Sequence, residues 1–230
     1  MESPEDYCRQ LESYLCRKNE GHLIRIVGPA FEQVCGWATR GIPIKVACRG
    51  IDRYFERYYA KGPRRRPIRI EFCEADILDV FDEWRRAVGV PGPVESTDAD
   101  SSRRHPSLPA HLERVIARLT SLRAGQDRSL DDVLDAVVRE LDTARAGAKA
   151  IRGDARDRLL ERLRVLERDV LQAARARLEP PVMTEIEREA DAELAPFRDR
   201  MPADAYQRSR EACIDRIVRD RARLPVLIFE

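Results

Sequence analysis

Lys45, Arg49, Arg53, Arg57 and Lys61 recur at every fourth position, and Arg64, Arg65, Arg66 and Arg69 follow within the stretch YAKGPRRRPIRI. On a helix each step of four turns by about 40°, so the first five form one slowly drifting cationic band. A row of long cationic side chains held in register by a rigid element suits a phosphate backbone. The loop between Pro63 and Pro67 would carry its arginines toward a second strand or a groove. Tyr54, Tyr58 and Tyr59 are interleaved with the band, where they would stack on bases. From Pro43 to Ile70 nine basic residues face two acidic ones, Asp52 and Glu56. Two plainer readings compete. Basic residues four apart often only solvate a helix face, and an acidic protein would be drawn by the same field.

Other chemistry has no foothold. The sequence holds no GxxxxGK[ST] loop, no GxGxxG after a strand and no GxSxG elbow. Its three histidines, at 22, 105 and 111, are scattered, and its six cysteines include no CxxC pair, so no zinc set forms by spacing. Asp131, Asp132 and Asp135 open a helix, where the dipole favours carboxylates without any cation. No catalytic residue, cofactor or metal is expected.

Composition narrows the partners. Lysine and arginine total 42 against 41 acidic residues, for a net charge of +1. The chain is therefore not polybasic, and an anionic ligand must meet a local patch. No apolar run reaches the length of a membrane span. The opening MESPEDYCRQL is acidic and lacks the layout of a secretory signal. A soluble, cytoplasmic protein with reduced cysteines is the expectation.

The elements that must position the cations are helical. Ser3, Pro4 and Asp6 mark a first helix with Tyr7, Leu11, Tyr14 and Leu15 on one face. "HLIRIV" suits a short extended piece. A second helix runs from Pro29 to Gly41. A third opens at Pro43 with Ile44, Cys48, Ile51, Phe55 and Tyr58 inward, and a fourth spans Ala75 to Val88. Eleven of the fourteen aromatic residues precede Val90. A stretch rich in proline and serine then reads as a linker. The expected architecture is all-α: a helical domain over 1–90, a flexible linker over 91–108, and a helical bundle over 109–230 with an apolar tail. The second and third helices have the layout of a helix-turn-helix, but Trp37 sits where that motif needs a small residue.

The segment "IVGPAFEQVCGWATRGIPIKVACRGIDRYFERY", the basic loop and "CEADILDVFDEW" together resemble the DnaD-like domain of bacterial primosome and phage replisome-organiser proteins. The resemblance covers about residues 22–88. It implies a non-catalytic helical module that binds DNA and bridges replication proteins. The family's closing helix carries Tyr, Ile and Trp at four-residue steps. Counting back from Trp84 gives Val80 and Asp76, so the tyrosine is absent and only Val80 and Trp84 carry over.

In the second half, Leu159, Leu163, Leu166, Val170 and Ala173 follow coiled-coil spacing. Leu160, Leu171, Ala174 and Leu178 broaden that face, which favours an antiparallel bundle over a zipper. The ending LPVLIFE either packs back on the bundle or hooks a partner. The expectation is a non-enzymatic DNA-binding accessory or adaptor protein, in replication initiation or helicase loading, with a protein partner on the bundle or tail. Self-association remains open, as does single- against double-stranded DNA. The alternative is a helical scaffold that binds proteins and no nucleic acid.

Overall fold

The structure, a computed structural model, describes residues 3–60, 62, 67–90, 107–122, 128–148 and 150–229. Nine α-helices order the described residues: α1 (Pro4–Lys18), α2 (Pro29–Arg40), α3 (Ile44–Tyr59), α4 (Glu74–Val88), α5 (Leu108–Leu122), α6 (Arg128–Gly147), α7 (Asp154–Ala176), α8 (Pro180–Leu194) and α9 (Ala203–Arg221). Short 3-10 turns cover Ile70–Cys73 and Ala195–Arg200. No strand occurs among the described residues, and the fold is all-α. Residues 91–106 of the expected linker lie outside the described residues, and α5 already begins at Leu108.

The chain divides into two compact units. One comprises Met1–Val94 with Asp191–Ala212, the other Glu95–Ala190 with Cys213–Glu230. The sequence reading assigned 191–212 to the C-terminal bundle; its contacts place that stretch with the first unit. A tryptophan makes one of the joining contacts. Trp84 of α4 is buried, its indole N–H donates to Glu193 at 2.9 Å, and its ring lies 5.7 Å from that of Phe197. A buried indole N–H needs an acceptor, and this one is supplied from 109 residues away.

Local chemistry sets the helix ends of the first unit. The Ser3 hydroxyl accepts from the Asp6 N–H at 3.1 Å, Pro4 opens α1, and Arg17 and Lys18 close it against the negative end of the dipole. α2 stops at Gly41, whose φ of +81° is left-handed. A Cβ there would also lie 2.9 Å from the Pro196 Cβ. α1 buries Tyr7, Cys8, Leu11 and Leu15; α3 buries Val46, Ala47, Ile51 and Phe55; α4 buries Ile77, Val80, Phe81, Trp84 and Val88. α3 packs on both α1 and α4.

In the second unit α5 packs on α6 and α6 on α7. Leu112, Leu119, Leu134, Leu141 and Leu163 are fully enclosed. The segment after α9 folds onto this unit. Leu227 is buried, its N–H donates to Glu167, and its carbonyl lies 3.1 Å from His111 Nε2, which must therefore donate. Glu167 is itself buried and also holds Arg219.

The α3–α4 contact rests on Gly50. A Cβ at this position would sit 2.4 Å from the Ile77 Cα. Alanine ordinarily improves a helix interior by about 1 kcal/mol over glycine. Here the clash dominates, and Gly50→Ala lowers stability by about 1–3 kcal/mol. Gly36→Ala, whose Cβ meets open space, raises it. Urea midpoints at unchanged slope read both effects; a stabilised Gly50→Ala chain would refute the contact.

Candidate nucleic-acid interface

The buried residues of α3 fix which way its cations point. From Lys45 to Arg57 the band turns by roughly 120°, and its two ends meet different neighbours. Lys45, exposed, and Arg49, half-buried, line an open groove of about 780 Å³ between α3 and α1. Arg53 and Arg57 instead reach carboxylates of α4. One helix therefore presents two cationic flanks.

On the first flank α1 contributes Arg9 and Arg17, two cations outside the expected set. The floor is tied by Asp52, which accepts from the Tyr14 hydroxyl at 2.7 Å and pairs with Lys18 Nζ at 2.5 Å. The Arg17 guanidinium lies 5.5 Å from the Tyr14 ring centroid and has no carboxylate partner among the described residues. Arg9 pairs with Asp6, whose carboxyl is held below the usual carboxylate range by the Ser3 hydroxyl and then by Arg9. Burial, reinforced by the bond to Asp52, raises the Tyr14 hydroxyl above the ordinary tyrosine value. Burial, with Asp52 adding to it, pushes the Cys48 thiol up to about 11. A thiol so raised stays protonated at neutral pH and is a poor nucleophile.

On the second flank the Asp76 carboxylate is nearly sealed, with 6% of its side chain exposed. Arg57 Nη2 binds it at 2.6 Å and Arg53 Nε stands 4.0 Å away. Arg53 Nη1 also donates to Glu83 at 2.9 Å. A buried carboxylate needs such partners, so these two arginines serve the fold as well as the surface. Arg69 pairs with Glu71 at 3.0 Å in an exposed setting, where such a pair is weak. Lys61, Arg64, Arg65 and Arg66 lie outside the described residues.

The tyrosines turn toward one another. Tyr54 and Tyr58 stack at 5.8 Å, Tyr58 meets Tyr59 edge-on at 5.5 Å, and the Arg57 guanidinium covers Tyr54 at 5.5 Å. Tyr59 is exposed. The helix-turn-helix layout does not become that motif's packing, because α2 and α3 each pack on α1 and Trp37 is buried in the core. Among the described residues no group of three or more His, Cys, Asp or Glu could hold a metal ion, and no helix is long and apolar enough to cross a membrane.

Sequence reasoning missed Arg9, Arg17 and Asp76. The two arginines lie on the polar side of a helix read for its apolar face. Asp76 did carry a signal, as a carboxylate among the apolar positions of α4. No family model, no curated protein and no solved structure matches this chain.

Two outcomes follow from this geometry. Asp76→Asn costs about 1–2 kcal/mol by urea denaturation, below the full value of a buried pair because Arg57 is largely exposed. Glu83→Gln, at an exposed pair, costs under about 0.5 kcal/mol, and equal losses for the two would contradict the assigned burial. For Tyr14 the raised folded value means its contribution is complete below about pH 10, the ordinary tyrosine value, and is lost progressively as pH climbs from there toward the folded value. Thermal melts between about pH 9 and 11 therefore decline less steeply in Tyr14→Phe than in the wild type.

Proposed function

We propose that this chain is a non-enzymatic DNA-binding accessory or adaptor protein, acting in the cytoplasm in replication initiation or helicase loading. The observation that carries the reading is the gathering of Lys45, Arg49, Arg9 and Arg17 around one groove of a chain whose net charge is +1. In a nearly neutral protein such a concentration supplies the local field that a polyanion needs. The DnaD-like resemblance supplies the replication setting, and Arg64, Arg65 and Arg66 add further cations in sequence. The C-terminal unit, with its docked tail, is the part assigned to a protein partner.

A second reading has its own support. Arg53, Arg57 and Arg69 all hold carboxylates of their own chain, which lowers the charge they offer outward. A weaker outward field favours a helical scaffold that binds proteins and no nucleic acid.

Titration of labelled single- and double-stranded DNA at several salt concentrations separates the two. With about four to six phosphates neutralised, log affinity on duplex falls with log salt at a slope near −4 to −5. Replacing Arg64, Arg65 and Arg66 together with alanine weakens binding without unfolding the chain. Absence of binding at low salt would leave the scaffold.

A further inference from the structure

The α1–α3 groove carries more than a general attraction for anions. Four cations line it, Arg9 and Arg17 from one wall and Lys45 and Arg49 from the other, against two carboxylates. Both carboxylates are engaged by their own chain, Asp6 by Arg9 and Ser3 and Asp52 by Tyr14 and Lys18. A ligand entering the trough meets cations on both sides, with Arg9 shared with Asp6 and Asp52 held by Lys18.

We propose that this groove is a seat for the backbone of a single nucleic-acid strand, an inference that rests on the nucleic-acid reading above and places its contact surface. The lining runs from Asp6 to Arg17 on α1 and from Ile44 to Asp52 on α3, which at helical rise is roughly 16 Å and 12 Å. That length spans about two to four phosphates. Packed helices have axes roughly 8–10 Å apart, so the trough between them receives one sugar–phosphate chain. A duplex is too wide to enter and meets one wall at a time.

The groove reads backbone and not base. Tyr14 is its aromatic lining residue, but its hydroxyl is bound to Asp52 and Arg17 covers its ring. No free aromatic face is offered there for a base to stack upon, in contrast to stacking platforms for single strands. Binding through this seat is insensitive to base composition and depends on salt with a slope of about −1.5 to −3.

The test uses the full chain and fluorescence anisotropy with labelled oligothymidylate and oligodeoxyadenylate of about 20 nucleotides, longer than one such site, and with their duplex. Arg17→Glu and Lys45→Glu, one on each wall and both at exposed positions, each weaken single-strand binding by about tenfold or more. Arg40→Glu, an exposed position on α2 away from the groove, leaves it within about twofold. The neutral variants Arg17→Gln and Lys45→Gln give intermediate losses, and circular dichroism confirms that all five variants are folded.

If the wild type binds neither strand form, the proposed function and this seat fall together. If it binds but the groove variants bind unchanged while the triple alanine at 64–66 abolishes binding, the seat alone is overturned. Duplex bound as tightly as single strand at equal salt, or displacement by polyglutamate as effective as by oligonucleotide, overturns it as well.

Discussion

The approach of α3 to α4 at Gly50 sets the orientation of the cations that α3 carries. Where a Cβ would stand 2.4 Å from the Ile77 Cα, only a hydrogen fits, and α3 is pinned with Ile51 and Phe55 in the core. Rotation of α3 about its axis would lift that contact and expose those side chains at roughly 25 cal/mol per Å² of apolar surface. The azimuth is thus held by packing, and the cations take whatever flanks remain. Lys45 and Arg49 fall beside α1, and Arg53 and Arg57 fall beside α4.

The α4 flank shows why a regular charge pattern is not a uniform surface. Asp76 is inserted into an otherwise apolar face, and its carboxylate would be costly to enclose without a cation. Two members of the basic band meet that need, one at 2.6 Å and one at 4.0 Å.

Much of the fold was readable from local signals. Ser3 with Pro4, Pro29 with Gly41 and the periodicity of Ile77, Phe81 and Trp84 placed α1, α2 and α4. These signals act within one or two turns of the chain. What stayed hidden depends on distant partners. Nothing near Trp84 indicates that its acceptor is Glu193, and nothing in LPVLIFE names Glu167 as the group that its Leu227 N–H will meet. The candidate site was half legible for the same reason. The α3 band is a property of one segment, whereas its partners on α1 and α4 appear only once packing has chosen the neighbours. Inward positions assigned by period alone also softened, since Ile44, Cys48 and Tyr58 are half-buried.

Ion pairing does not remove an arginine from service to a polyanion. Arg57 spends Nη2 on Asp76 while its side chain stays 60% exposed, and a guanidinium has five N–H donors in a rigid fork. The pair fixes a side chain that would otherwise lose rotamer freedom, worth up to about 2 kcal/mol, on meeting a phosphate. Arg53 is 30% exposed and bridges two acids, so more of its donors are turned inward and less of its charge outward. The two arginines are therefore unequal despite their equal spacing. Arg57 keeps most of its side chain outward, whereas Arg53 is drawn into two ion pairs.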